Sequence, residues 1–562
     1  MKRLMIMFGL AACAAQLFAS QVMCAEDSRK PVPPETAAQK ETRMKWWREA
    51  RFGMFIHWGP VSQKGTEIGW SRGGERRGVG GTGEIPLDVY DNLYKTFNPT
   101  KYDAKQWVAI AKAAGMKYMV FTTRHHDGFS EWDTKASDYN IMHSPYGKDI
   151  VKQLADACHK AGMKIGFYYS QPDWHNADYL TATHSKYLEY MKGQLRELCT
   201  NYGKVDIIWF DGLQGNSETW DSVNTIAMIR KLQPGVIINN RAGLAEDFDT
   251  PEQSIGGFQI NRPWETCMTI GTQWAWKPND DIKSTCDCLR TLIRCAGGDG
   301  NLLLNVGPMP TGEIESHQIA RLQEMGDWLR IWGETIYGTR GGQFKPTGNF
   351  ASTRKGNVIY LHFMGPVTQV TLPPIPRKIK KADVLLPGRK VSFTQTEEGV
   401  SLRFGETVDQ VIDCIVKLTL DGSAMDIAPL ATVRPMAKLP DGTNVSASNV
   451  YQNNNAEFGP EKAFDRNPDT RWATDGGVRQ AWLTIEYPEP VKVSSIAMSE
   501  EYDRVRSFEL QYQDGSDWKT IFKGTTIGLD FKKDFEPVTA RVFRLNILDA
   551  TDGPTFWEIG LK

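Results

Sequence analysis

No disulfide framework can be drawn for this chain. Of nine cysteines, Cys13 and Cys24 lie in an apolar N-terminal leader. The other seven, Cys158, Cys199, Cys267, Cys286, Cys288, Cys295 and Cys414, are irregularly spaced. An odd count without paired spacing excludes a cystine-stapled scaffold and a cysteine zinc site, and leaves buried free thiols as the expectation. Charge of one sign is also lacking: 66 Lys and Arg stand against 67 Asp and Glu. There is therefore no basic footprint for nucleic acid and no polybasic patch for a membrane surface. Beyond the leader no segment approaches the length of uninterrupted apolar sequence that a transmembrane helix requires. Internal repeats and low-complexity tracts are absent as well.

What the chain has is length and aromatic rings. Its 562 residues exceed a single core and predict two to four domains. Eighteen Trp and eighteen Tyr in a nearly neutral protein suit the flat apolar faces of sugars, although most such rings serve the core. Lys2 and Arg3 precede an apolar run from Leu4 to about Ala25, which reads as an export signal over residues 1–25 cleaved near Val22-Met23-Cys24-Ala25. Leu10-Ala11-Ala12-Cys13 also has the form of a lipobox that would lipidate Cys13. The expectation is an exported protein, periplasmic or at the cell surface.

Over residues 42–341 short apolar runs alternate with amphipathic stretches. Strands are predicted at Phe52–Trp58, Tyr118–His126, Lys164–Ser170, Val205–Asp211, Val236–Arg241 and Asn301–Val306. Helices are predicted between them, with Ala114-Gly115 and Ala161-Gly162 as C-terminal stops. Repeated β-then-α over this length predicts a parallel (β/α)8-like barrel, with two of its strands not visible after Arg241. Residues 342–420 turn to short alternating runs, a small β-sandwich. Residues 421–441 read as a linker, and 442–562 as a second antiparallel sandwich. The fold class expected is thus α/β, with a barrel followed by two all-β domains.

The barrel strands end in polar residues. Val205–Phe210 is nearly all apolar and then delivers Asp211, the manner in which barrels place a catalytic group at the C-terminal end of a strand. The other ends supply His57 and Trp58, His125 and His126, Tyr168, Trp209 and Arg241. Imidazoles and a guanidinium give directed hydrogen bonds to hydroxyls while Trp and Tyr give an apolar wall, a combination suited to a monosaccharide. A metal site is the competing reading of the three histidines, but the usual His-x-His on strand one is absent, and adjacent strand residues face opposite ways, so only one of His125 and His126 should point inward unless the strand has ended.

The runs Trp47–Ser62, His125-His126-Asp127-Gly128-Phe129 with Trp132, Phe167-Tyr168-Tyr169-Ser170, Trp209-Phe210-Asp211-Gly212 and Asn301–Pro308 resemble the α-L-fucosidases of glycoside hydrolase family 29. The resemblance implies a retaining mechanism with Asp211 as nucleophile, and fucose contacts from His57, His125, His126, Tyr168, Trp209 and Arg241. Catalysis would need no cofactor, and the partners would be fucosylated oligosaccharides or glycoconjugates. A retaining hydrolase needs a second carboxyl about 5 Å from the first. Glu252, in Thr250-Pro251-Glu252-Gln253, falls in a stretch similar to the family's acid/base segment and is preferred over Glu265, which would then be a structural or pocket-lining carboxylate. Glu67 is a solvated loop acid or a contact at the pocket rim. Thr266–Trp276 resembles the subgroup acting on α-1,3/1,4-linked fucose, with Trp274 or Trp276 stacking on the neighbouring sugar. A catalytically idle, exported glycan-binding protein is the alternative from another class.

Lys462-Ala463-Phe464-Asp465, Asp469–Thr474 and Trp557–Leu561 resemble the F5/8 type C (discoidin) domain, also found in carbohydrate-binding family 32. That resemblance implies a structural calcium ion with Asp465, Thr470 and Glu558 among its oxygen ligands.

Overall fold

The computed structural model describes residues 35–562, apart from 214, 409–411, 433–435 and 437. The expected signal sequence, its cleavage site and the lipobox cysteine lie outside the described residues.

Seven parallel strands run β5-β4-β3-β2-β1-β7-β6. They are β1 (Phe52–Ile56), β2 (Tyr118–Arg124), β3 (Lys164–Ser170), β4 (Ile207–Asp211), β5 (Ile237–Ile238), β6 (Glu265–Thr269) and β7 (Asn301–Val306). All but the first residue of β3 are buried, because a parallel strand is covered by the barrel interior on one face and by helices on the other. An irregular stave closes the ring between β5 and β6. Phe248 bridges Asn239, Asp249 bridges Trp264 and Glu252 bridges Cys267, all in parallel sense. This stave and β6 are the two strands that the sequence did not show. Pro251 and Pro263 interrupt the apolar pattern there, and β6 itself, Glu-Thr-Cys-Met-Thr, is buried without being an apolar run.

The covering helices begin where short polar side chains cap them. Asp103 accepts from the Lys105 and Gln106 amides ahead of α1 (Ala104–Ala113), Asp149 from Lys152 ahead of α2 (Ile150–Ala161). The predicted stops hold: α1 runs out at Ala114 with Gly115 at φ +84°, and Gly162 ends α2 at φ +67°. Further helices are α3 (His184–Asn201), α4 (Ser222–Leu232), α5 (Thr285–Gly297) and α6 (Ser316–Trp332).

After the barrel the chain forms antiparallel sheets. A five-stranded sheet (β12-β15-β10-β9-β8) and a three-stranded one (β11-β14-β13) share a core that includes Phe350, Leu361, Leu402 and Val416. These strands are β8 (Arg340–Gly341), β9 (Phe350–Lys355), β10 (Val358–Phe363), β11 (Val367–Leu372), β12 (Ile379–Val384), β13 (Val391–Thr396), β14 (Gly399–Val408) and β15 (Cys414–Leu420). Within the stretch expected to be a linker, residues 424–432 are packed rather than free. Ala424 and Ile427 belong to this same core, Leu430 N donates to Gln343 O at 2.7 Å, and Met436 N donates to Glu558 at 3.1 Å. Its small and apolar residues therefore fill a seam, where composition alone suggested a tether. From β16 (Asn444–Ala447) to β22 (Thr555–Leu561) a further antiparallel sheet encloses a second core around Trp472, Leu483, Phe508 and Phe543.

Candidate active site

A pocket opens at the C-terminal ends of the barrel strands. Phe55 and His57 line it from β1 and its end, His125 and His126 from beyond β2, Tyr168 from β3, and Trp209 and Asp211 from β4. Arg241, Glu252, Cys267 and Trp274 complete its far side. Both histidines of the pair face the pocket because β2 ends at Arg124, so the alternation that would have separated them no longer applies.

Arg241 organises the carboxylates. Its Nη1 donates to Asp211 Oδ1 at 3.0 Å and its Nη2 to Glu252 Oε2 at 2.8 Å, while Nε is anchored on Thr250 Oγ1 at 2.8 Å. One planar guanidinium thus holds both acids side by side, as its fork of donors allows. The ring of Trp209 lies beneath that guanidinium, 4.8 Å from its carbon. The hydroxyl of Tyr168 donates to Asp211 Oδ2 at 2.8 Å, and burial beside this carboxylate raises the phenol well above its ordinary range.

The histidines are neutral acceptors. Asn305 Nδ2 donates to Trp274 O at 2.7 Å, which fixes Asn305 Oδ1 as an acceptor, so His57 carries its proton on Nδ1 and donates at 2.7 Å. Ser170 likewise gives its hydroxyl proton to Pro172 O at 2.6 Å and accepts from His126 Nδ1 at 2.6 Å. Each ring is left with Nε2 as a lone-pair acceptor. Burial lowers His57 to about 4 and drives His125 and His126 well below the usual imidazole range. His126 Nε2 is 3.5 Å from Asp211 Oδ2, and a ligand hydroxyl can donate its proton to one of these two acceptors.

His125, His126 and Asp211 also bring ligand atoms within 4.8 Å of one another, the spacing of a metal site. The surrounding charge favours a hydroxyl there. Asp211 already shares its charge with Arg241, and a metal cation would sit against that guanidinium.

Four of the residues considered for the site lie outside the pocket lining. Trp58 follows His57 on the extended chain and so points the opposite way, into the helix layer. It packs against Phe97, Tyr102 and Trp107 and donates to Met309 O at 3.0 Å. Glu265 opens β6 and therefore lies below the pocket, beneath Cys267. It is fully buried, accepts from Trp209 Nε1 at 3.2 Å and from the Tyr118 hydroxyl, and is pushed up to about 7 by burial. Glu67 is half-buried and does not line the pocket. Its carboxylate accepts from the amides of Ile68 at 3.1 Å, Trp274 at 2.8 Å and Ala275 at 3.1 Å, with burial raising its pKa. It holds the loop that sets Trp274 4.8 Å from the His57 ring. Trp276 is not among the lining residues and bonds Glu315 at 2.8 Å.

Sequence reasoning missed Phe55, Trp70, Leu213 and Cys267 as lining residues. Trp70 was discoverable, since it shares the loop of Glu67. Cys267 was read as a buried thiol, which it is, and it also faces Arg241 Nη2 at 3.9 Å.

In the C-terminal sheet Asp465, Thr470 and Glu558 converge. Thr470 Oγ1 lies 2.9 and 2.8 Å from the two Asp465 oxygens. Glu558 is wholly buried, and among the described residues its Oε1 has no hydrogen-bond partner. Burial, with the Asp465 charge nearby, raises it to about 7.

Paired acids at the strand ends of a parallel barrel, with neutral imidazoles to receive hydroxyls and aromatic walls for a sugar ring, define a glycoside hydrolase. Comparison with known proteins gives the particular family. The α-L-fucosidase profile matches residues 19–334 and the F5/8 type C profile residues 444–560. This chain belongs to the α-L-fucosidase family and carries an F5/8 type C domain. It is 30% identical to the plasma α-L-fucosidase of Homo sapiens over 52% of this chain and 69% of that protein. Among solved structures it resembles α-L-fucosidase isoenzyme 1 from Paenibacillus thiaminolyticus (TM-score 0.62, 34% identity, 68% of this chain and 99% of that one). A family 29 α-L-fucosidase from Bacteroides thetaiotaomicron, trapped as a covalent intermediate with 2-fluoro-fucosyl fluoride, has a TM-score of 0.60 and 25% identity, covering 68% of this chain and 96% of that one.

Proposed function

We propose that this α-L-fucosidase is a retaining exo-enzyme in which Asp211 is the nucleophile and Glu252 the acid/base. The observation that carries the reading is the single guanidinium of Arg241 joined to both carboxylates, an arrangement suited to the roughly 5–5.5 Å separation that retention requires. Asp211 would attack the anomeric carbon as the glycosidic C–O bond breaks, and Glu252 would protonate the departing oxygen. Water would then add at the same carbon, giving its proton to Glu252 and releasing Asp211. His57, His125, His126 and Tyr168 would orient the fucose hydroxyls, with Phe55, Trp209 and Trp274 as walls. The covalent intermediate of the Bacteroides relative supports the two-step course.

The preferred substrates would be terminal α-1,3/1,4-linked fucosides on branched glycans, a finer reading that rests on Trp274 standing at the pocket edge beside His57. A panel of fucosylated oligosaccharides differing in linkage, with released fucose quantified, tests it; preference for α-1,2 linkage would discard it. Asp211→Gly tests the nucleophile. Turnover of an aryl fucoside should fall by at least about 10³-fold, and azide should restore activity by forming a fucosyl azide. A variant turning over at near wild-type rate would end the mechanism.

The orphaned Oε1 of Glu558 beside Asp465 fits a calcium ion, and Asp465, Thr470 and Glu558 would hold it with main-chain carbonyls. Bound there, the ion would brace the C-terminal sheet, with no part in the barrel chemistry.

A further inference from the structure

Away from the catalytic mouth, a cavity of about 360 Å³ lies where barrel, middle sheets and F5/8 domain meet. Its barrel side is the segment that follows Glu252. Gln253 N donates to Cys267 O at 3.0 Å, Gly256 N to Thr266 Oγ1 at 3.3 Å and Gln259 N to Gly298 O at 3.3 Å. The segment therefore descends along β6 from the mouth to the barrel's lower edge. It carries Phe258 into the cavity, where the F5/8 domain answers with Arg471, Glu501, Tyr502 and Trp557. The junction is secured by an ion pair between Lys345 and Asp469 at 2.9 Å and by Asn349 Nδ2 donating to Tyr502 O at 2.9 Å.

The cavity wall holds polar atoms without hydrogen-bond partners. Glu501 is 5% exposed and Trp557 9%, and among the described residues Glu501 Oε2, Arg471 Nε and Trp557 Nε1 all lack one. Arg471 Nε and Glu501 Oε2 form an ion pair at 3.9 Å, too far for a hydrogen bond, and a hydroxyl set to one side of the pair can accept from the first and donate to the second. The Arg471 guanidinium is 5.1 Å from the Trp557 ring. Buried polar groups are expected to be partnered, so one acceptor and two donors around an aromatic-walled space await a ligand that supplies both functions. The opposed charges of Arg294, Lys345 and Arg471 against Asp469 and Glu501 largely cancel, which favours a neutral ligand.

We propose that this junction cavity is a second, non-catalytic saccharide site, which takes a neutral pyranose ring between Phe258 of the barrel and Trp557 of the F5/8 domain. The volume suits a small ligand. Because the site is shared between domains, saccharide bound there would also fix the F5/8 domain against the segment leading from Glu252.

The test uses the full chain and saccharides without fucose, so that the catalytic pocket does not respond. Saturation-transfer NMR and calorimetry with N-acetyllactosamine, lactose and mannobiose should detect binding. Glu501→Gln and Trp557→Phe should each weaken it by about tenfold or more, the loss expected when a hydrogen bond to a charged or buried group is removed. Trp557→Phe keeps an aromatic face but removes the fused pyrrole with its N–H, so weaker binding at unchanged Tm reports the loss of that bond together with part of the stacking surface. Phe258→Ala should weaken binding too, and aryl-fucoside turnover should stay within about twofold in every variant. Silence from all three saccharides would mean the cavity holds only water and would overturn the proposal. Binding indifferent to Phe258→Ala would place the sugar on the F5/8 domain alone and overturn it equally.

Discussion

The indole N–H of Trp209 donates to Glu265 Oε1 at 3.2 Å, tying a wall of the fucose pocket to a carboxyl sealed inside the barrel. Burial lifts Glu265 from its ordinary value of 4.5 to about 7. Between those values the folded protein keeps a proton that the unfolded chain releases. This group's contribution is therefore full below the unfolded pKa and is lost as pH rises through about 7, by about 3 kcal/mol in all. Glu265→Gln, neutral throughout, removes that dependence. Tm measured across pH should show the variant gaining on wild type as pH rises from about 5 to about 8. A constant offset over that range would show that Glu265 does not titrate there.

Glu252 is the carboxyl on the open side of the Arg241 clamp, its side chain 42% exposed against 12% for Asp211. Exposure toward the leaving group is what an acid/base requires. Glu252→Ala should lower kcat/KM on oligosaccharides by about 10²-fold or more while costing activated aryl fucosides about tenfold or less. Equal losses on both substrate types would assign the proton transfer elsewhere. Glu265, below the pocket floor, should not show the leaving-group signature when replaced.

A strong chelator separates the two oxygen-rich clusters. Removal of calcium from Asp465, Thr470 and Glu558 should lower the Tm of the F5/8 domain, with recovery on adding calcium, because binding to the folded state alone stabilises it. Aryl-fucoside turnover measured well below that transition should not change. Turnover lost on chelation and restored by zinc would instead make His125, His126 and Asp211 a metal centre.

The packed seam at residues 424–432 alters where the chain can be shortened. Ending it at Leu420 removes Ala424 and Ile427 from the core of the middle sheets, so Tm should fall with them. Ending it after Thr432 keeps those residues and gives up the Lys345–Asp469 and Asn349–Tyr502 contacts. That shorter chain should hydrolyse a small soluble fucoside within about threefold of the full protein, because each pocket-lining residue lies in the barrel. Loss of activity in the longer of the two truncations would show that the F5/8 domain supports the barrel directly.

The sequence by itself determined the strands written as nearly unbroken apolar runs and the groups at their ends. Ile207–Asp211 is legible because an apolar run stopping at a carboxylate has few other uses, and Asp103, Asp149 and Gly162 mark helix boundaries by local chemistry alone. Tertiary structure decided whatever depends on pairing and direction. His57 and Trp58 are neighbours in sequence, yet the alternation of extended backbone sends one to the sugar pocket and the other to the helix layer. Glu252 and Glu265 are the same residue type on adjacent staves. Only the register, Glu252 beside Cys267 with Glu265 two residues lower, puts one at the mouth and the other beneath the floor. Glu67 reads as a loop acid until the chain returns more than two hundred residues later to present the amides of Trp274 and Ala275 to it. Long-range hydrogen bonds of that kind leave no local pattern, because each partner satisfies its own backbone rules without reference to the other.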